Sequence, residues 1–426
     1  MNSKRNFFLL IMILAFSVVL AACNDSDDVS KADAESPDKD AVNASTTQGV
    51  TDNEILIGHL GPQTGPAAIY DLARKGVDSY FNYVNENGGV NGRKIKLIAY
   101  DDQYQPAKAV QLAQRLVEED KVFAMVGNVG SPNIAATKEY IVDKGIPLAF
   151  VSVGVMDFFD PPIKNFMGSA IMNYRLEAEI YLDYAVNELG AKTFAIAYQD
   201  DDFGKEGYEA VKGAIDKYPD AKIVEEVTFL APDTEFSSQA QKLNKVKPDV
   251  VFHFGSPNPA ANLKKAMHKI GLTSPAFIVA SVGANDNNLF KLAGEDVWEG
   301  TYSSAVMPNA DLSADEEQTK IFIENFSKDY PKDPQSGFAQ YGWGAGQVVV
   351  EALERAGDDL TWDSFLEAFY TFDQWDGSLY DGITLTKDNH FAITSMFMTQ
   401  AQKGVIKPIS GSISIDPATK EITYHE

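Results

Sequence analysis

From Glu54 onward, short runs rich in β-branched and aromatic residues alternate with stretches whose apolar positions recur every three or four residues. Residues 55–60 read as a strand. After it, Ile69, Leu72, Val77, Tyr80, Phe81 and Val84 fall on one helical face, and Asn87-Gly88-Gly89 ends that helix. Residues 94–100 predict a second strand, and Pro106 opens a helix carrying Val110, Leu116 and Val117. Residues 122–126 predict a third strand, Ser131-Pro132 begins a helix, and 147–151 form a fourth strand.

A second series repeats the scheme. Strands are expected at 193–198, 222–229, 249–254 and 276–281. Helices fall at 204–217, along the face of Phe236, Ala240, Leu243 and Val246, and at 259–270. After Trp298 the pattern turns helical, at about 314–330, 337–356 and 362–372, and then returns to strand-like alternation over 383–399 and 406–423. Such βαβα alternation predicts an α/β fold of two doubly wound parallel-sheet lobes, with the trailing helices and strands docked on them. Ligands bind beyond the carboxyl ends of parallel strands, so two such edges facing each other make a cleft that closes by hinge motion.

Composition narrows the partners. The 426 residues carry 36 basic and 61 acidic side chains, a formal net charge of −25. Phosphate contacts need clustered Lys and Arg, so nucleic acid is not expected as a partner. One cysteine excludes a disulfide framework and a Cys-based zinc site, and the scattered His59, His253, His268, His390 and His425 make no metal cage. No metal or cofactor is expected. The chain has no G-x-x-x-x-G-K-[ST], no G-x-G-x-x-G after a strand, no H-E-x-x-H and no G-x-S-x-G.

The start of the chain reads as an address. Lys4 and Arg5 precede a 14-residue uncharged run, 7–20, followed by Ala21, Ala22 and Cys23. A basic start, a short apolar core and small residues at its end predict an export signal over 1–22, too short for a permanent span. Cys23 after Leu20-Ala21-Ala22 resembles a bacterial lipobox, which implies lipidation of Cys23 and anchoring to the membrane. Residues 23–52 are rich in Asp, Ser, Ala and Thr and predict a flexible tether.

Several strand ends offer candidate chemistry. In Gly127-Asn128-Val129-Gly130-Ser131-Pro132, the Ser131 hydroxyl suits either helix capping or a ligand carboxylate, and spacing leaves both open. Ser152-Val153-Gly154 ends the fourth strand with small residues that let a ligand approach the backbone. Tyr70, one turn into the first helix, reads on pattern alone as a buried core tyrosine before a ligand contact. In Asp200-Asp201-Asp202-Phe203-Gly204 the carboxylates suit a helix start, whereas Phe203 is an apolar side chain in a polar loop.

Taken together, 55 to the C-terminus resembles the branched-chain amino-acid type of ABC-transporter substrate-binding protein. The resemblance rests on Ile57-Gly58 through Gly65-Pro66, Asn87-Gly88-Gly89-Val90-Asn91-Gly92, Tyr100-Asp101-Asp102, Gly130-Ser131, Tyr198 to Gly204 and Asp358-Asp359-Leu360-Thr361. It implies the periplasmic-binding-protein type I fold, in which several chain crossovers join the lobes at a hinge. The implied first lobe is 53–173 plus about 305–382, and the second is 174–304 plus about 383–426. Position by position, it implies a cleft aromatic at Tyr70, a carboxylate-binding serine at Ser131, and Ser152 with Gly154 completing that site, Gly154 standing where the family has threonine. Phe203 and Ser256 match second-lobe aromatic positions.

Where the family holds the ligand ammonium with carboxylates, this chain has Ser281 and Tyr174. Either another acid such as Asp157, Asp202 or Asp286 supplies the charge, or the ligand has no amine. The resemblance implies an extracytoplasmic, lipid-anchored receptor that delivers a small carboxylate, an amino acid or an amine-free organic acid, to an ABC permease. A surface enzyme and a ligand sensor are the competing classes. The first lacks a sequence candidate for its chemistry, and the second an output domain.

Overall fold

β1 (Glu54–Gly61), the first buried apolar run, pairs along its whole length with β2 (Lys94–Asp101) and on its other side with β3 (Ala124–Val126). β4 (Leu148–Val151) and β5 (Phe166–Ser169) complete a parallel sheet of order β2-β1-β3-β4-β5. α1 (Asp71–Glu86), α2 (Pro106–Gln114) and α3 (Ser131–Lys144) are its crossovers. The computed structural model describes residues 47–310 and 316–425. The expected export signal, Cys23 and the tether up to residue 46 lie outside the described residues. Residues 47–52, assigned to the tether from sequence, are instead docked. Gln48 Nε2 donates to Val117 O and Val122 O, and Val50 bridges Ile55, because pairing with β1 and the 117–122 turn satisfies this backbone.

The chain then enters a second body through α4 (Tyr174–Asn187). β6 (Thr193–Gln199), α5 (Asp202–Ala214), β7 (Lys222–Phe229), α6 (Ser237–Val246), β8 (Val250–Phe254), α7 (Pro257–Lys269) and β9 (Ala276–Val279) repeat the winding. Short helices α8 (Ser281–Ala284), α9 (Asn288–Ala293) and α10 (Glu295–Trp298) lead to β10 (Tyr302–Ala305). The chain crosses back to lay α11 (Glu317–Asp329), α12 (Gly337–Ala356) and α13 (Trp362–Phe369) against the first body, α12 packing on α1, β3 and β4. It crosses once more into β11 (Ser395–Gln402), β12 (Val405–Pro408), β13 (Ile413–Ile415) and β14 (Ile422–Tyr424). The second sheet is mixed: β7-β6-β8-β9-β10 run parallel, and β11 to β14 extend it antiparallel.

Three expectations change. β5 and α4 fall in a stretch with no assigned element, although Asn173 caps α4 by accepting from Arg175 N and Leu176 N. α4 buries residues on several faces, Tyr174, Leu176, Glu177, Ala178 and Tyr181 among them, so it shows no clean stripe. β10 falls between Trp298 and the helix expected from about 314, where no strand was assigned. The long alternating run from 383 becomes strand only at Ser395, because before it Ile383 and Leu385 bury into the first body through turns.

Candidate functional site

Each sheet has one switch point, β1/β3 in the first and β6/β8 in the second, where neighbouring crossovers leave in opposite directions and a crevice opens at the strand ends. The loops from both crevices meet around one cavity with a free volume of about 30 Å³. In this closed arrangement that is room for one or two waters, and a larger guest requires the walls to part.

From the first lobe, Tyr70 ends a 3₁₀ turn after β1 and lies 8% exposed. Tyr104 follows β2, in a turn where Gln103 and Tyr104 both hold positive φ; Asp101 Oδ1 accepts from Gln63 N and Gln103 N, and Asp102 Oδ1 from Tyr104 N. Val129, Gly130 and Ser131 come from the end of β3, Ser152 from the end of β4, and Phe338 and Tyr341 from α12. Ile171 and Tyr174 come from the crossing segment, with Phe203 and Val282 from the second lobe. Tyr70 stands edge-on to Phe338 at 5.3 Å between ring centroids, and Tyr174 packs on Phe203 at 4.6 Å. Among the described residues no charged side chain lines the cavity.

Five of the eight anticipated ligand residues therefore converge: Tyr70, Ser131, Ser152, Tyr174 and Phe203. Ser131 is not the cap of α3. Gly130 takes that position with φ +109°, a conformation that favours glycine, and Ser131 is the first helical residue. Burial pushes the Tyr174 phenol pKa up, and the neighbouring Ser131 and Gly154 backbone oppose that shift. The Ser152 hydroxyl is buried and without a partner.

The other three lie elsewhere. Gly154 packs behind the wall, where a Cβ would stand 2.4 Å from Met172 O and 2.9 Å from Tyr174 N, so a threonine does not fit. Ser256 turns its hydroxyl to Gln199 Oε1, at 2.9 Å. Ser281 opens α8, its N–H donating to Glu177 Oε1. The acids proposed to replace the missing charge, Asp157, Asp202 and Asp286, are not in the lining either.

Two other carboxylates bond the lining residues or their neighbours: Asp201, read from sequence as a helix-start charge, and Glu177, which sequence reading passed over. Asp201 caps α5, accepting from Phe203 N and Gly204 N, and also accepts from Gln199 Nε2 and Tyr104 Oη. Glu177, fully buried one turn beyond Tyr174, accepts on Oε1 from Ser281 N, Tyr181 Oη and Ser304 Oγ. Burial raises the pKa of both, which hydrogen bonding opposes. Tyr104 was legible, since it follows the strand ending at Tyr100-Asp101-Asp102. Phe338 and Tyr341 had no local signal, because α12 reaches the cavity only through the fold.

Residues 54–405 match the periplasmic binding protein family. The chain belongs to that family. This periplasmic binding protein is 23% identical over 306 residues to the Leu/Ile/Val-binding protein homolog 3 of Brucella melitensis biotype 1, spanning 71% of this chain and 80% of the relative. Among solved structures it resembles a fatty acid ABC transporter substrate-binding protein from Thermomonospora curvata, with TM-score 0.76, 24% identity, and coverage of 85% of this chain and 93% of that one. It also resembles an R. palustris ABC-transporter solute-binding protein in complex with benzoate, with TM-score 0.74, 21% identity, and coverage of 84% and 96%. The relatives of this periplasmic binding protein are binding proteins of transporters, not enzymes, and the two-lobed fold is that implied by the sequence resemblance.

Proposed function

We propose that the protein is the lipid-anchored, extracytoplasmic receptor of an ABC uptake system, and that its cleft grips a small apolar or planar carboxylic acid without an amine. Its halves are 53–173 with about 305–382, and 174–304 with about 383–426. Ser131, through its hydroxyl and N–H, and the unpaired Ser152 hydroxyl receive the carboxylate at the start of α3, where the helix dipole favours negative charge. Tyr70, Tyr174 and Phe203 wall the remainder of the ligand.

The observation that carries this reading is the uncharged, aromatic lining. A desolvated ammonium without an anionic partner is costly. Asp201 already has four hydrogen-bond donors, and Glu177, which is not in the lining, holds three on Oε1 and has its buried Oε2 unpartnered. A branched-chain amino acid is the second reading, favoured by the Brucella relative's name.

A thermal-shift panel of benzoate, phenylacetate, octanoate, leucine, isoleucine and valine tests both readings. Stabilisation by an amine-free acid is expected, growing as RT ln(1 + [L]/Kd). Stabilisation by leucine alone moves the protein to the amino-acid reading, and no shift from any compound sinks the receptor reading. Mass spectrometry of the N-terminal peptide is expected to find diacylglycerol on Cys23, and an unmodified Cys23 removes the anchor.

A further inference from the structure

Three first-lobe tyrosines line the cavity with their rings and bond across it with their hydroxyls. Tyr70 Oη donates to Val282 O at 2.9 Å. Tyr104 Oη donates to Asp201 Oδ2 at 3.3 Å, beside the Gln199 amide that also holds Asp201. Tyr341 Oη accepts from Asn285 Nδ2 at 2.5 Å. Val282 and Asn285 sit in and just after α8, and Asp201 precedes α5, so every partner belongs to the second lobe.

A tyrosine at a ligand site ordinarily offers both a ring and a hydroxyl. Here the Tyr70 and Tyr104 hydroxyls spend their protons on the opposite lobe, and the Tyr341 oxygen accepts from it. Each bond forms in the closed arrangement and has to break when the lobes part, so each biases the open–closed equilibrium directly.

We infer that Tyr70, Tyr104 and Tyr341 are the closure bonds of the cleft, their hydroxyls holding lobe to lobe while their rings line the ligand cavity. They are positioning residues for the receptor reading, on which this role rests. The test below uses no ligand, so failure to find a bound carboxylate and failure of the closure bonds are separate results.

Hydrogen exchange by mass spectrometry of the intact protein, wild type against Tyr104→Phe and Tyr341→Phe singly and together, reads the closure. At the start of α3 Pro132 has no N–H and Asn133 N donates to Gly130 O, which leaves the Ser131 N–H, on a residue buried beside the cavity, as the amide that closure shields. Peptides covering 129–133 are expected to exchange about fivefold faster in each single variant and faster still in the double variant. Peptides covering β3 and β8 in the two cores are expected to be unchanged. Unchanged exchange at 129–133 overturns the inference. Equal acceleration in the core peptides overturns it too, by showing that the hydroxyls support the fold rather than the closure. Tyr80→Phe, a cavity-remote tyrosine packed on Trp343, is the control and is expected to leave 129–133 at the wild-type rate.

Discussion

Ser131 and Ser152 share a chemistry but differ in what they cost the protein. Ser152 keeps a buried hydroxyl with no partner, a desolvation penalty of about 1–3 kcal/mol that a ligand oxygen can relieve. Ser152→Ala is therefore expected to raise the melting temperature of the ligand-free protein while weakening carboxylate binding, a pair of opposite signs readable by calorimetry. A fall in both quantities would place the hydroxyl in an unseen structural contact. Ser131 is freed from capping by Gly130, which leaves its hydroxyl to the ligand. Ser131→Ala is expected to weaken binding by about 1–3 kcal/mol without melting α3. Unchanged affinity by titration calorimetry would remove Ser131 from the carboxylate site.

At the scale of elements, the cavity depends on how closely α12 lies against α1. A Cβ on Gly342 would stand 1.8 Å from Ala73 O, and one on Gly76 would stand 2.1 Å from Ala339 O, so the two backbones meet through glycines on both sides. α1 brings Ala73 to the lining, Tyr70 immediately precedes that helix, and α12 brings Phe338 and Tyr341. Gly342→Ala forces the helices apart and is expected to cost about 1–3 kcal/mol or more of stability. It is also expected to reduce ligand affinity, because the aromatic wall moves with the helix. Thermal unfolding and the ligand titration check the two effects, and a variant as stable and as tight-binding as wild type would refute the close approach. The capping of α5 by Asp201 is a similar dual device: it fixes a helix start and offers Tyr104 its acceptor.

Across the whole molecule, each lobe buries a neutral histidine beside its central strands. His59 in β1 has its pKa lowered by burial to about 4, with Nδ1 3.0 Å from Val126 O. His253 in β8 is lowered by burial to about 3, stacked on Phe229 at 5.0 Å, with both ring nitrogens unpartnered. The unfolded chain titrates near pH 6.5, so below that pH it binds protons that the folded chain refuses. Stability is complete above pH 6.5 and is lost as the pH falls toward 4 and 3. At pH 5 the loss is up to about 2 kcal/mol per histidine. His253→Phe keeps the stack and removes the titration, so its melting temperature is expected to fall less than wild type between pH 7.5 and pH 5. An equal fall would show that His253 carries no part of the acid sensitivity.

Local sequence already determined the winding of the molecule. Alternating strands and amphipathic helices, with Pro or Gly at their boundaries, predicted most of both parallel cores, because buried strands and one-sided helices leave their period in the chain. Helix α12 was legible at both ends, 337–356, as was β7 at 222–229. A doubly wound sheet puts its ligand edge at the strand termini, and the family resemblance marked Tyr70, Ser131, Ser152 and Phe203 there as candidates. What only the tertiary structure decided was which of these side chains meet and what they have left to offer. α4 hid its period because several faces are buried, and α12 supplies Phe338 and Tyr341 from more than 160 residues beyond Tyr174 only because the chain returns to its first sheet. Gly154, Ser256 and Ser281 occupy matching sequence positions yet face away, because packing against Tyr174, Gln199 and Glu177 claims them first. A period in sequence records what is buried, whereas the partner of a buried polar group is fixed by distances that only the closed fold sets.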